Sequence, residues 1–221
     1  MMQRSGLMLV SVISVLTALS ATARAATDLR ITEVWAGSDG SDITPDWVEI
    51  KNFGDAAWTS GSSVLTINDS GGGTGTDAVV QGIADILPNE VAIVLMEGSA
   101  ALSQSFFDIW NPVKPQTLAN IGFADGSGLG LGQGGDGVNI WLNDVLEDTF
   151  TYSSAASDVS IDVFLGQDSV VGNASGAVAT LVTNDLGTPA VGSPGMVAPE
   201  PGSVLLMVVG LVGLVYANRR R

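Results

Sequence analysis

The sequence predicts an all-β body, and three observations carry that expectation. Short runs rich in β-branched residues recur along the chain, each bounded by clusters of turn residues. Glycine is abundant, 28 of 221 residues, while aromatic residues make up 6% and charged residues 14%; that mix suits many short strands and loops. No long amphipathic helix interrupts the pattern. The length leaves room for one sizeable domain plus targeting segments.

Taken in order, Met1 to Ala26 reads as a signal peptide. Arg4 supplies a positive start, and Gly6 to Leu19 is an apolar run too short for a comfortable membrane span. Ala21-Thr22-Ala23 and Ala23-Arg24-Ala25 each fit the small-residue cleavage rule, and the favoured cut lies after Ala25 or Ala26. The body, 27–196, opens with Leu29 to Trp35, a strand by alternation and β-branching. A turn-rich loop from Gly37 to Pro45 leads to a second strand, Asp46 to Asn52. There Val48 and Ile50 alternate with Glu49 and Lys51, which predicts one buried face and one solvated face. A further strand is expected at Val159 to Leu165, where Val159, Ile161 and Val163 alternate with Ser160, Asp162 and Phe164. Leu102 to Thr117 reads as an insertion with a short helix or lid, and Val170 to Leu186 as extended structure or a returning loop.

Two of these pieces together resemble the opening of a lamin-tail domain, with its I-x-E-V, a loop, and D-W-[IV]-E-[IL]-x-N. The matching residues are Ile31, Glu33, Val34, Asp46, Trp47, Val48, Glu49, Ile50 and Asn52. Later segments follow the same order: Trp58 with Val64 to Asp69, then Leu87 to Leu95, then Gly135 to Tyr152. Gly192-Ser193-Pro194-Gly195 resembles the S-P-G that often closes the domain. Where the family commonly has Gly after a Pro, this chain has Asn89. The resemblance implies an immunoglobulin-like β-sandwich.

Composition excludes several functions. Without cysteine there is no disulfide framework, zinc thiolate cluster or thiol nucleophile. Without histidine there is no Ser-His-Asp triad, no HExxH site and no imidazole base. A secreted hydrolase is therefore disfavoured, and the expectation is a protein that is not an enzyme. Between Thr27 and Ala198 three basic residues (Arg30, Lys51, Lys114) stand against 22 acidic ones, which leaves −19. Such a surface repels phosphate backbones, so no nucleic-acid partner is expected. The glycine run Gly128 to Gly132 lacks the lysine of a phosphate cradle.

Two ligand sites suggest themselves. Asp39, Asp42 and Asp46 place three carboxylates in an eight-residue loop, which suits calcium and its preference for clustered oxygen ligands. Trp35 at a strand end and Trp110 in Phe106-Phe107-Asp108-Ile109-Trp110, if exposed, would form an aromatic platform for carbohydrate. The plainer reading of the Asp and Gly residues is that they form turns. Trp47, Trp58 and Trp141 lie in strand contexts and are expected in the core. Apart from calcium, no cofactor is implied.

The tail is the most specific stretch. Pro199-Glu200-Pro201 is followed by an apolar run, with a membrane helix expected at about 203–218, and then by Arg219-Arg220-Arg221. Order and position resemble the PEP-CTERM sorting signal over 197–221. That resemblance implies an exosortase as partner, a cut near Pro199 to Pro201, and transient anchoring in the inner membrane of a Gram-negative bacterium. The expected function is a surface or matrix protein whose β-sandwich serves interaction or adhesion beside exopolysaccharide in biofilm. The alternative is a carbohydrate- or calcium-binding module.

Overall fold

The computed structural model describes residues 26–37, 43–69, 78–114, 118, 120–126 and 128–196. The signal peptide, the expected membrane helix and the sorting residues lie outside these. Among the described residues no helix is long and apolar enough to cross a membrane. Strand is the main regular element of the described chain. In order it forms β1 (Leu29–Trp35), β2 (Trp47–Asn52), β3 (Trp58–Thr59), β4 (Leu65–Asn68), β5 (Ala78–Gln81), β6 (Asp85–Ile86) and β7 (Val91–Met96). Then come α1 (Ala100–Trp110), β8 (Ile121–Ala124), β9 (Asp136–Leu142), β10 (Val145–Tyr152), β11 (Ile161–Asp162), β12 (Gln167–Asp168), β13 (Val178–Thr183) and β14 (Pro189–Gly192).

One ten-stranded sheet runs β10-β9-β4-β5-β8-β7-β2-β1-β11-β12. It curls, so that the far strand returns to the middle: the Asp148 carboxylate on β10 accepts the backbone N–H of Ile31 on β1 at 2.9 Å. Inside the curl lies the larger apolar core, which includes Leu29, Ile31, Val48, Ile50, Trp58, Ile67, Val94 and Ile140. Among the strands of the described residues, β7 and β8 alone pair in parallel. Parallel neighbours need a crossover connection, which an α-helix usually provides, and α1 makes it. The segment expected as an insertion is thus the crossover that the parallel pair requires. Ser99 caps α1, its hydroxyl accepting the N–H of Leu102, and Phe106 and Trp110, one turn apart, turn inward.

Helix α1 and the β13–β14 hairpin cover the outer face of β1, β2 and β7. A second core forms there from Trp35, Trp47, Ile93, Leu95, Phe106, Trp110, Leu118 and Ala190. This layer overturns one expectation. All six residues of β2 are buried, Glu49 and Lys51 included, so the polar half of its alternation faces a second layer of protein and not solvent.

Local details follow from turn chemistry. Asn89 follows Pro88 in a turn closed by Glu90 N–H onto Leu87 O at 2.9 Å, and its φ is +66°. That backbone favours Gly and tolerates Asn, which is why Asn can stand here. Asn143 and Asp144, with φ of 49° and 65°, make the mirror-image two-residue turn of the β9–β10 hairpin. The strand expected from Val159 to Leu165 shortens to Ile161–Asp162. The Asp162 side chain captures the N–H of Leu165 at 2.9 Å and turns the chain there.

Candidate functional site

On the outer face, three acidic residues stand in one cross-strand row. Glu33 on β1 lies opposite Glu49 on β2 on one side and Asp162 on β11 on the other. Each is about 2% exposed. Like charges directly opposite one another weaken a sheet, and buried carboxylates need partners, so the arrangement requires compensation. Part of it comes from a β-bulge between Ile31 and Glu33. Through that irregularity both Thr32 and Glu33 reach the outer face. The Thr32 hydroxyl donates to Glu49 Oε1 at 2.6 Å.

The remaining partners come from the far end of the body. Ser193 donates twice to Glu33, its N–H to Oε1 at 2.8 Å and its hydroxyl to Oε2 at 2.8 Å. The Ser160 hydroxyl also donates to Glu33 Oε1, and the Ser169 hydroxyl lies 2.8 Å from it. The Gly195 N–H donates to Glu49 Oε2 at 2.6 Å. Asp162 accepts from the Ser175 hydroxyl. Gly192 passes so close that a Cβ there would sit 3.1 Å from Ser160 Oγ, 3.2 Å from Glu33 Oε1 and 3.3 Å from the Trp110 ring. Lys114, largely buried, donates through its ammonium to Gly176 O. The cluster is a clamp: two carboxylates on the central strands fasten the turn Ser193-Pro194-Gly195 to the sheet.

Electrostatics divide the two glutamates. Burial, followed by the neighbouring Glu33 carboxylate, pushes Glu49 well above the usual carboxylate range. Burial also raises Glu33, opposed by the Ser160 and Ser193 hydrogen bonds. Desolvation lowers the Lys114 ammonium, while Glu33 and Glu49 pull it back up. The folded state therefore holds a proton on this pair that the unfolded chain has released above about pH 4.5. Its stabilising contribution is complete below that pH and is lost as pH rises through the folded-state pKa. We expect the processed protein's urea midpoint to fall from pH 5 to pH 8. Glu49→Gln, which mimics the protonated acid, should remove most of that decline. An unchanged pH slope in Glu49→Gln would refute the assignment of the proton.

The described chain stops at Met196, one residue past the clamped turn. Residues 197–221 match the PEP-CTERM protein-sorting motif. This motif marks an exported protein that is anchored in the membrane and sorted by an exosortase. Pro199, Glu200, Pro201, Arg219, Arg220 and Arg221 all fall within the matched stretch, outside the described residues. No curated protein and no solved structure matches the chain.

The other expected sites fare differently. Trp35 and Trp110 are fully buried and present no platform. Trp35 stacks on Trp47 with ring centroids 6.4 Å apart, and Trp110 meets Trp47 edge-on at 6.3 Å beneath α1. Trp47 and Trp58 are in the core as expected, while Trp141 is only half-buried. Asp39 and Asp42 lie outside the described residues. Asp46 accepts the Leu131 N–H at 2.6 Å, and next to it Asp69 and Asp136 accept those of Gly130 and Gly132 at 2.9 Å each. The glycine run thus directs its N–H groups at the chain's own carboxylates. Glu33, Glu49 and Ser193 were legible only as residues of a resemblance without a role. Lys114, one of three basic residues in the body, was the available hint of a buried charge.

Proposed function

We propose that this chain is an exported, non-enzymatic surface or matrix protein of a Gram-negative bacterium, its body a lamin-tail-like, immunoglobulin-like β domain serving interaction or adhesion in exopolysaccharide or biofilm. The observation that carries the reading is the sorting motif at 197–221, set directly after a turn fastened to the core. Val197 and Ala198 alone separate Met196 from Pro199. After a cut near Pro199 to Pro201, the mature chain would end within a few residues of the fastened turn Ser193-Pro194-Gly195.

The lamin-tail likeness gains support from the clamp. Its three separate motif pieces meet there: Glu33 of the first, Glu49 of the second, Ser193 and Gly195 of the last. The buried polar groups hold chain to chain, which favours a scaffold role over catalysis.

The test is the mass and location of the protein in the producing cell. The unaltered chain should leave the membrane shortened near Pro199 to Pro201. A triple variant, Pro199→Ala, Glu200→Ala and Pro201→Ala, should stay in the membrane at full C-terminal length. Release of that variant at the normal size would sink the sorting role. For adhesion, a strain lacking the chain should form measurably less biofilm, and equal biofilm would count against it.

A further inference from the structure

The sequence leaves the N-terminal cut open between neighbouring bonds, and the fold distinguishes them. The first described residue, Ala26, is already bound in the body. Its N–H donates to Asp55 Oδ1 at 2.7 Å. Its carbonyl accepts the N–H groups of Asp55 at 3.1 Å and Ala56 at 3.2 Å. The carbonyl also fills the space beside Gly54, where a Cβ would lie 2.1 Å from it. Two residues on, Asp28 O accepts the Phe53 N–H at 2.7 Å, so the chain is fastened from Ala26 into β1.

We infer that the signal peptide is removed at the Ala25–Ala26 bond and that the new α-ammonium of Ala26 forms an ion pair with Asp55. The inference rests on the export reading above. Two independent constraints meet at this bond. Cutting there puts Ala25 at the last position of the leader and Ala23 two before it, both small as the enzyme requires. A cut after Ala26 would place Arg24 at the second of these positions. It would also delete the carbonyl that Asp55 and Ala56 use, leaving two N–H groups without their acceptor. A cut after Ala23 satisfies the small-residue rule but leaves Ala26 a neutral amide with Arg24-Ala25 overhanging it.

Hydrolysis of the Ala25–Ala26 amide adds water across the bond. It gives a carboxylate on the departing leader and an amine on Ala26, which protonates near neutral pH. A neutral N–H donor 2.7 Å from a carboxylate then becomes a charged one, and charge-assisted hydrogen bonds are roughly twice as strong as neutral ones. The cut would strengthen the contact that holds the new end.

Intact mass and N-terminal sequencing of the exported protein test the assignment. The expected start is Ala26-Thr27-Asp28. A start at Arg24 or Thr27 overturns the assigned bond while leaving export standing. A full-length chain that begins at Met1 overturns the export reading and this inference with it. The ion pair is read separately, by acylating the α-amine at pH 7 with a limiting activated ester and locating the label by mass. Ala26 should label at least about threefold faster in Asp55→Asn than in the unaltered protein, because the pair holds the amine protonated. Equal rates would overturn the pair.

Discussion

Trp47→Ala will cost the processed protein about 3–5 kcal/mol of unfolding free energy, read as a lower urea midpoint, with the slope kept. Trp47 is fully buried at the centre of the outer core. It stacks on Trp35 at 6.4 Å and 6°, and takes the edges of Phe106 at 5.8 Å and Trp110 at 6.3 Å. One truncation therefore removes the largest kind of buried side chain and three aromatic contacts, each of which adds about 0.5–1.5 kcal/mol beyond area burial. The surrounding rings belong to β1 and α1, whose backbones are fixed by the sheet and the crossover, so the void cannot close easily. Trp35→Ala should lose less, because among the described rings Trp35 contacts Trp47 alone. A midpoint for Trp47→Ala within experimental error of the unaltered protein would mean that the outer layer is not integral to the fold.

How much of this was legible differs by residue. The positions of β1 and β2 follow from alternation and β-branching, which are local signals, and that of β9 from the lamin-tail resemblance. The exposure of Glu49, Lys51, Trp35 and Trp110 was not legible, because their cover is remote. The partner of Glu33 at Ser193 is 160 positions away, and that of Glu49 at Gly195 is 146 away. Period-two patterning reports that a strand has a polar face; it cannot report that a distant segment will lie on that face. The same limit explains Val159 to Leu165. Its alternation is real, but the Asp162 side chain bonds Leu165 locally and turns the chain before more residues can pair. The sorting motif was legible because it is read as linear sequence and depends on no fold.

Glu33→Ala will destabilise the body by about 2–6 kcal/mol, the cost of orphaning the two buried Ser193 donors that its carboxylate satisfies. The lost carboxylate leaves the Ser193 N–H and the Ser193 hydroxyl without their acceptor, while the Ser160 hydroxyl keeps Ser169. Each buried orphan of this kind costs about 1–3 kcal/mol. The damage should also have a place. Amide exchange at Ser193 and Gly195 should accelerate well before that of β2 or β7, because these two N–H groups are held by carboxylates and not by a strand ladder. Glu33→Gln keeps the shape and one acceptor oxygen, and its loss should be clearly smaller. Glu49→Gln should be the mildest of the three, since burial already drives Glu49 toward the protonated form that Gln mimics. If Glu33→Ala melts with the unaltered protein and Ser193 exchanges no faster, the clamp does not hold the end of the body. The close spacing between folded domain and sorting motif would then need another cause.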